Sequence, residues 1–196
     1  MKFDAKMLTL YAVTDRSWLH GRTLAEVVEE VILGGATMVQ LREKDKTPDE
    51  ILASAREIAP VCKKYGVPFI MNDSIELARA AGADGVHLGQ SDVPGDNVRE
   101  LAGDLILGLS ANTVESAKRA QALGADYLGV GAVFGTTTKH DARHLSPEAL
   151  QLTGCGMQGA AVVSALFAQD DPRQAARGLR DKAERMRQED TGNENN

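Results

Sequence analysis

The chain has 196 residues, 43% of them hydrophobic and 26% charged, which suits one globular domain. Its formal net charge of -6 argues against a nucleic-acid partner or an anionic membrane, because either wants a basic face. A phosphorylated small ligand is still admissible, since a few local cations outweigh the global sign.

The N-terminal stretch through Asp15 has no signal-peptide core, and its apolar run predicts a strand over 8–14. An amphipathic helix is expected over 23–33, then a strand over 38–43 that carries Gln40, Arg42 and Lys44 in VQLREK. A helix over 48–65 leads to strand 68–72, which ends in Asn72 before Asp73. Helix 74–81 and strand 85–88 follow, with Asp92 just beyond in VHLGQSD. Helix 93–102, strand 105–110 ending in Ser110, helix 114–123 and strand 127–134 continue the alternation. A polar loop over 135–144 holds Thr136, Thr137, Thr138 and Lys139. A short helix opens at Ser146-Pro147-Glu148, with Ser as N-cap and Pro at the first helical position. The last strand, 160–164, contains Val163 and Ser164, and helix 172–187 precedes a polar tail. The expected boundaries are one domain over 1–188 and a disordered tail over 189–196.

Strand and helix alternating without a break imply right-handed βαβ units in one parallel sheet. Gly82-Ala83-Asp84 and Gly124-Ala125-Asp126 repeat before two of the strands. Each Gly stands where a helix should stop and a left-handed φ is favoured. The fold class is α/β, a TIM (βα)8-type barrel. Only seven strand-like runs are recognisable, where a closed barrel of this type has eight. Two cysteines, Cys62 and Cys155, make no disulfide framework and fit a reducing, cytoplasmic setting. No apolar run approaches the roughly 20 residues that span a bilayer.

In such barrels the active site lies at the C-terminal ends of the strands, and the polar residues concentrate there. If the second strand continues to Lys44, then Gln40, Arg42 and Lys44 point to one face. An amide, a guanidinium fork and an ammonium together grip a polyanion. Asp73 and Asp92 follow neighbouring strands, and adjacent strands lie about 4.8 Å apart. The two carboxylates either share a hard cation such as Mg2+ or cap the helices that follow them. The Thr136–Lys139 loop suits an anionic ligand or is simply Thr-rich. Backbone N–H groups after Val163 and Ser164 suit a phosphate. His140 and His144 read as loop residues, and His87 as a packed strand residue.

YAVTD, GGATMVQLREK, the MND strand end, GADGVHLGQSD, LGLSANT, GADYLGVGAVF with its TK-x-D loop, and GAAVVSALF together resemble thiamine-phosphate synthase in order and spacing. The resemblance covers residues 8–152 and then 156–180. It implies that a pyrimidine diphosphate is coupled to thiazole phosphate, giving thiamine phosphate and pyrophosphate, with Mg2+ as cofactor and both substrates small molecules. It implies further that Gln40, Arg42, Lys44 and Asn72 hold the diphosphate, and that Asp73 and Asp92 bind Mg2+. Ser110 would contact the pyrimidine or pyrophosphate. Thr136, Thr138 and Lys139 would serve the thiazole partner, and Val163 and Ser164 the thiazole phosphate. Arg42, Lys44 and Lys139 are the expected catalytic residues.

Ala132 and Gly135 stand where the family usually carries proline. Between Leu152 and Thr153 roughly one βα unit of the family pattern is missing. The barrel then closes with seven strands, stays open with its last strand displaced, or is covered by a second copy in a homo-oligomer. Two other functions stay open: an impaired remnant that binds the pyrimidine diphosphate, and a related thiazole-phosphate isomerase.

Overall fold

The computed structural model describes residues 1–130 and 159–193, with side chains up to residue 185. Among these residues seven strands form one sheet: β1 (Leu10–Val13), β2 (Met38–Leu41), β3 (Phe69–Asn72), β4 (Gly85–Leu88), β5 (Ile106–Ala111), β6 (Tyr127–Val130) and β7 (Ala160–Val162). Their order is β6-β5-β4-β3-β2-β1-β7, and every pairing is parallel. β1 and β6 lie far apart in that order. Their tyrosines Tyr11 and Tyr127 nevertheless meet, with hydroxyls 2.8 Å apart and rings edge to face at 5.8 Å. Only a curled sheet allows that contact, so the strands form a nearly closed TIM-type barrel.

The last strand is seated on the first, in the register Leu10↔Ala160, Tyr11↔Ala161 and Ala12↔Val162. Among the described residues β6 pairs only with β5 and β7 only with β1. Among the described residues the ladder is therefore unpaired between β6 and β7, the interval in which the sequence lacks a βα unit. Residues 131–158, which connect them, lie outside the described residues.

Seven α-helices are described: α1 (Leu24–Leu33), α2 (Pro48–Tyr65), α3 (Ile75–Ala80), α4 (Val98–Ala102), α5 (Val114–Ala122), α6 (Ser164–Phe167) and α7 (Pro172–Asn193). Thr23 with Glu26, and Thr47 with Glu50, form reciprocal capping boxes that start α1 and α2. Pro48 occupies the first turn of α2, where its missing N–H costs nothing. The main core packs between helices and the outer face of the sheet. It includes Val27, Val28 and Val31 of α1, Ile58 of α2, and Leu166 and Phe167 of α6. A smaller cluster of Tyr11, Met38, Ile70, Ile106 and Tyr127 fills the barrel interior. α7 docks beside the end of α1, where Arg180 Nη1 donates to the Gly35 carbonyl at 3.0 Å.

The repeated Gly-Ala-Asp turns do more than stop helices. Gly82 and Gly124 adopt left-handed φ values of 63° and 78°. Each following aspartate then ties a strand start: Asp84 Oδ2 accepts from Phe69 N at 2.9 Å, and Asp126 Oδ2 accepts from Leu107 N at 2.8 Å.

Several boundaries differ from expectation, among them the last strand, which ends at Val162 rather than 164 because Ser164 opens α6. Ala5–Leu8 forms a 3-10 turn capped by the Asp4 side chain, so β1 begins at Leu10. β2 ends at Leu41 because Arg42 N donates to Thr14 Oγ1 at 3.0 Å instead of continuing the ladder. α4 begins at Val98 rather than residue 93, since Pro94 and Gly95 (φ 159°) belong to the preceding loop. α7 runs to Asn193, past the expected end at 187, and takes in the first residues of the expected polar tail.

Candidate functional site

Four neighbouring strand ends are linked by side-chain contacts. β2 places Gln40 in the barrel interior, where it is 4% exposed. Arg42 and Lys44 lie past the end of β2, in a loop where Asp45 takes φ 57°. They do not share a strand face with Gln40, as alternation through Lys44 required. Lys44 instead reaches the next strand end, and its Nζ donates to Asp73 Oδ2 at 3.0 Å. Arg42 is half-buried. Asn72 ends β3, also half-buried.

Asp73 has φ 66°, a left-handed conformation uncommon outside glycine. Its N–H donates to the His87 carbonyl of β4 at 2.8 Å, which holds it against the neighbouring strand. The expectation that Asp73 and Asp92 are helix caps fails at both positions. Ser74 caps α3, its side chain accepting from Leu77 N, and α4 starts well beyond Asp92. Asp92 curls back over its own strand end. Its Oδ2 accepts from Gly89 N at 3.0 Å, and Ser91 Oγ donates to Oδ1 at 3.3 Å. A Cβ on residue 89 would lie 2.6 Å from Asp92 Oδ2, so Gly89 makes the room for that carboxylate. Burial, and then the adjacent Asp73 charge, push the Asp92 carboxyl above the usual carboxylate range. A half-buried carboxylate facing another one is relieved by a cation between them.

The interior above the small core cluster is polar and connected. Gln40 Nε2 donates to the Tyr11 hydroxyl at 2.6 Å. The Tyr11 and Tyr127 hydroxyls are 2.8 Å apart. The Tyr127 hydroxyl lies 3.2 Å from His87 Nδ1, and His87 Nε2 lies 3.0 Å from Ser110 Oγ. The chain crosses the barrel from β2 through β1, β6 and β4 to β5. Gly108 and Gly129 give it space: a Cβ on Gly108 would sit 2.2 Å from Tyr127 Cζ, and one on Gly129 2.7 Å from His87 Cε1.

Sequence reading named both ends of this chain, Gln40 and Ser110, and took His87 as a packed strand residue. His87 is indeed buried, but it is packed through hydrogen bonds. Tyr11 and Tyr127 were missed. The available signal for Tyr127 was a strand tyrosine beside two glycines, Gly129 in its own strand and Gly108 in the adjacent one. Val163 and Ser164 stand at the junction of β7 and α6, where α6 has no side-chain cap. Thr136, Thr138 and Lys139 lie outside the described residues.

A family profile described as thiamine monophosphate synthase matches residues 10–153. The chain belongs to this family. Within it, the chain is 45% identical over 195 residues to the thiamine-phosphate synthase of Ruminiclostridium cellulolyticum, covering 87% of this chain and 93% of that protein. Those 195 aligned positions outnumber the residues that 87% of this chain supplies, so the relative carries positions that this chain skips. It is 52% identical over 144 residues to the thiamine-phosphate synthase of Clostridium tetani, covering 73% of this chain and 69% of that one. A solved thiamine phosphate pyrophosphorylase from Pyrococcus furiosus superposes with a TM-score of 0.81 at 32% identity, covering 93% of this chain and 98% of that one. Family membership and barrel therefore agree. Among the described residues no helix is long and apolar enough to cross a membrane.

Proposed function

We propose that this chain is a thiamine-phosphate synthase. It is a transferase that couples 4-amino-2-methyl-5-hydroxymethylpyrimidine diphosphate with thiazole phosphate, releasing pyrophosphate. The observation that carries the reading is the contact of Lys44 with Asp73, and of Asp73 with Asp92, at adjacent strand ends in a chain of this family. An isomerase acting on thiazole phosphate has no diphosphate to hold and no use for that cationic and carboxylate arrangement.

The reaction asks for stabilisation of a departing pyrophosphate more than for a base. Lys44 and Arg42 are placed to offset that charge, Arg42 through a fork matched to phosphate oxygens. Gln40 and Asn72 add neutral hydrogen bonds at the same end, and Ser110 faces the pyrimidine side. Thr136, Thr138 and Lys139 complete the thiazole and pyrophosphate contacts in this reading, with Val163 and Ser164 at the thiazole phosphate. The carboxylate pair fits Mg2+, which uses one or two carboxylates together with substrate phosphates. Its charge lowers the cost of releasing pyrophosphate. Asp73 and Asp92 would hold it.

The βα unit missing from the sequence supports a second reading, in which the site binds the pyrimidine diphosphate without turning it over. Incubating the full chain with both substrates and Mg2+, and measuring thiamine phosphate, separates the two. Product formation that EDTA abolishes supports the synthase. No product, with calorimetric binding of the diphosphate retained, supports the second reading.

A further inference from the structure

The hydrogen-bond chain across the barrel has a direction that its buried members dictate. Tyr11 and Tyr127 are 4% and 6% exposed. A phenol carries one proton, and leaving it unpaired in the interior costs about 1–3 kcal/mol. Among the described residues no buried side-chain nitrogen or oxygen lacks a partner. Gln40 presents Nε2 to Tyr11, and an amide nitrogen only donates. The Tyr11 proton is then directed at its other partner, the Tyr127 oxygen. Tyr127 has received a proton from that side, so its own points to His87 Nδ1. Nδ1 thus accepts, which puts the ring proton on Nε2, facing Ser110 Oγ. Mixed arrangements strand one phenol proton or leave the amide facing an acceptor with an acceptor. With the amide turned, either the whole chain reverses or the two phenol oxygens are left 2.8 Å apart with no proton between them; both need the opposite face of the Gln40 amide.

We infer that the chain runs one way, from Gln40 to Ser110, with His87 in its Nε2–H form, so that Ser110 keeps its own hydroxyl proton for a ligand. Tyr127 is then a positioning residue: it touches no substrate, but it sets the His87 tautomer and, through it, makes Ser110 a donor. The acceptor that Ser110 meets is a lone pair on the ligand, either a phosphate oxygen or a ring nitrogen. This last step rests on the proposed synthase site; the tautomer does not.

The test begins with 15N-histidine labelling of the full chain, with His87 assigned by the resonances lost in His87→Gln. The expected spectrum shows Nε2 protonated and Nδ1 unprotonated, both in the unaltered protein and in Tyr11→Phe, where Tyr127 still donates to His87. In Tyr127→Phe the two nitrogens are expected to average between tautomers. A proton on Nδ1 in the unaltered protein overturns the inference, and so does an unchanged pattern in Tyr127→Phe. Should Tyr127→Phe not fold, the unaltered spectrum decides alone.

For Ser110, calorimetry of Ser110→Ala uses two probes: inorganic pyrophosphate with Mg2+, and the phosphate-free 4-amino-2-methyl-5-hydroxymethylpyrimidine. Loss of one neutral hydrogen bond weakens one of them roughly fivefold and identifies the acceptor. Unchanged binding of both overturns the donor role. Failure of the synthase reading would appear separately, as absent turnover in the unaltered chain with the nitrogen pattern intact.

Discussion

Replacing Gly108 by alanine probes how fully the barrel interior is occupied. The added Cβ would lie 2.2 Å from Tyr127 Cζ, 2.4 Å from its hydroxyl and 2.6 Å from His87 Nδ1. All three are closer than carbon atoms approach, and neither ring retreats easily. Tyr127 is held by Tyr11 and stacked on Phe3 at 5.9 Å between centroids, while Gly129 closes on the far side of His87. Overpacking a filled core costs about 1–3 kcal/mol. Displacing the Tyr127–His87 hydrogen bond adds about 0.5–1.5 kcal/mol. The expected loss is about 2–4 kcal/mol, or roughly 5–12 °C in Tm for a chain of this size. Urea unfolding followed by circular dichroism measures it. Gly178 is the control, because it is helical in α7 with nothing within 4 Å of an added Cβ. Gly178→Ala should stabilise by about 0.5–1 kcal/mol through helix propensity. A Gly108→Ala protein within about 0.5 kcal/mol of the parent would refute the packed interior, since the smallest overpacking costs exceed that.

Phe167 of α6 is fully buried, so Phe167→Ala should cost about 3–5 kcal/mol in urea unfolding; an unchanged midpoint would mean that the segment after β7 is not docked. Arg42→Ala is expected to abolish turnover while circular dichroism stays unchanged, and activity at the parental level would contradict the diphosphate grip. Burial first, and the Asp84 charge second, push the Cys62 thiol up to about 12. At pH 8 its thiolate fraction is then roughly one in ten thousand, and mass spectrometry after native iodoacetamide treatment should find the Cys62 peptide unmodified. Labelling of that peptide within minutes under native conditions would show the thiol to be more accessible than its 1% exposure implies.

Much of the site was legible because strand-end chemistry follows from chain position. Once strands are placed, Gln40, Asn72, Asp73, Asp92 and Ser110 fall at their C-terminal ends, and the fold assigns that end to ligands. What local reading got wrong were choices between two local partners. A helix cap suits Asp73 and Asp92 by spacing, yet Ser74 takes the first cap and the turn through Pro94 and Gly95 displaces the second helix. Alternation carried Arg42 and Lys44 onto one strand face, yet a threonine hydroxyl from β1 ends β2 before either is reached. In each case the competing partner comes from a side chain or turn whose position the spacing does not report.

By itself the sequence determined the alternation of strands and helices, the turns at Gly82 and Gly124, the placement of cations and carboxylates at strand ends, and the lack of a βα unit after Leu152. Each is a local property of composition, period and order. The tertiary structure alone decided that β7 pairs with β1, so among the described residues the unpaired interval falls between β6 and β7. It alone joined Tyr11, Tyr127 and His87 into one chain between Gln40 and Ser110. These residues are distant along the chain, and only the curvature of the sheet brings their hydroxyls and ring nitrogens within hydrogen-bond reach.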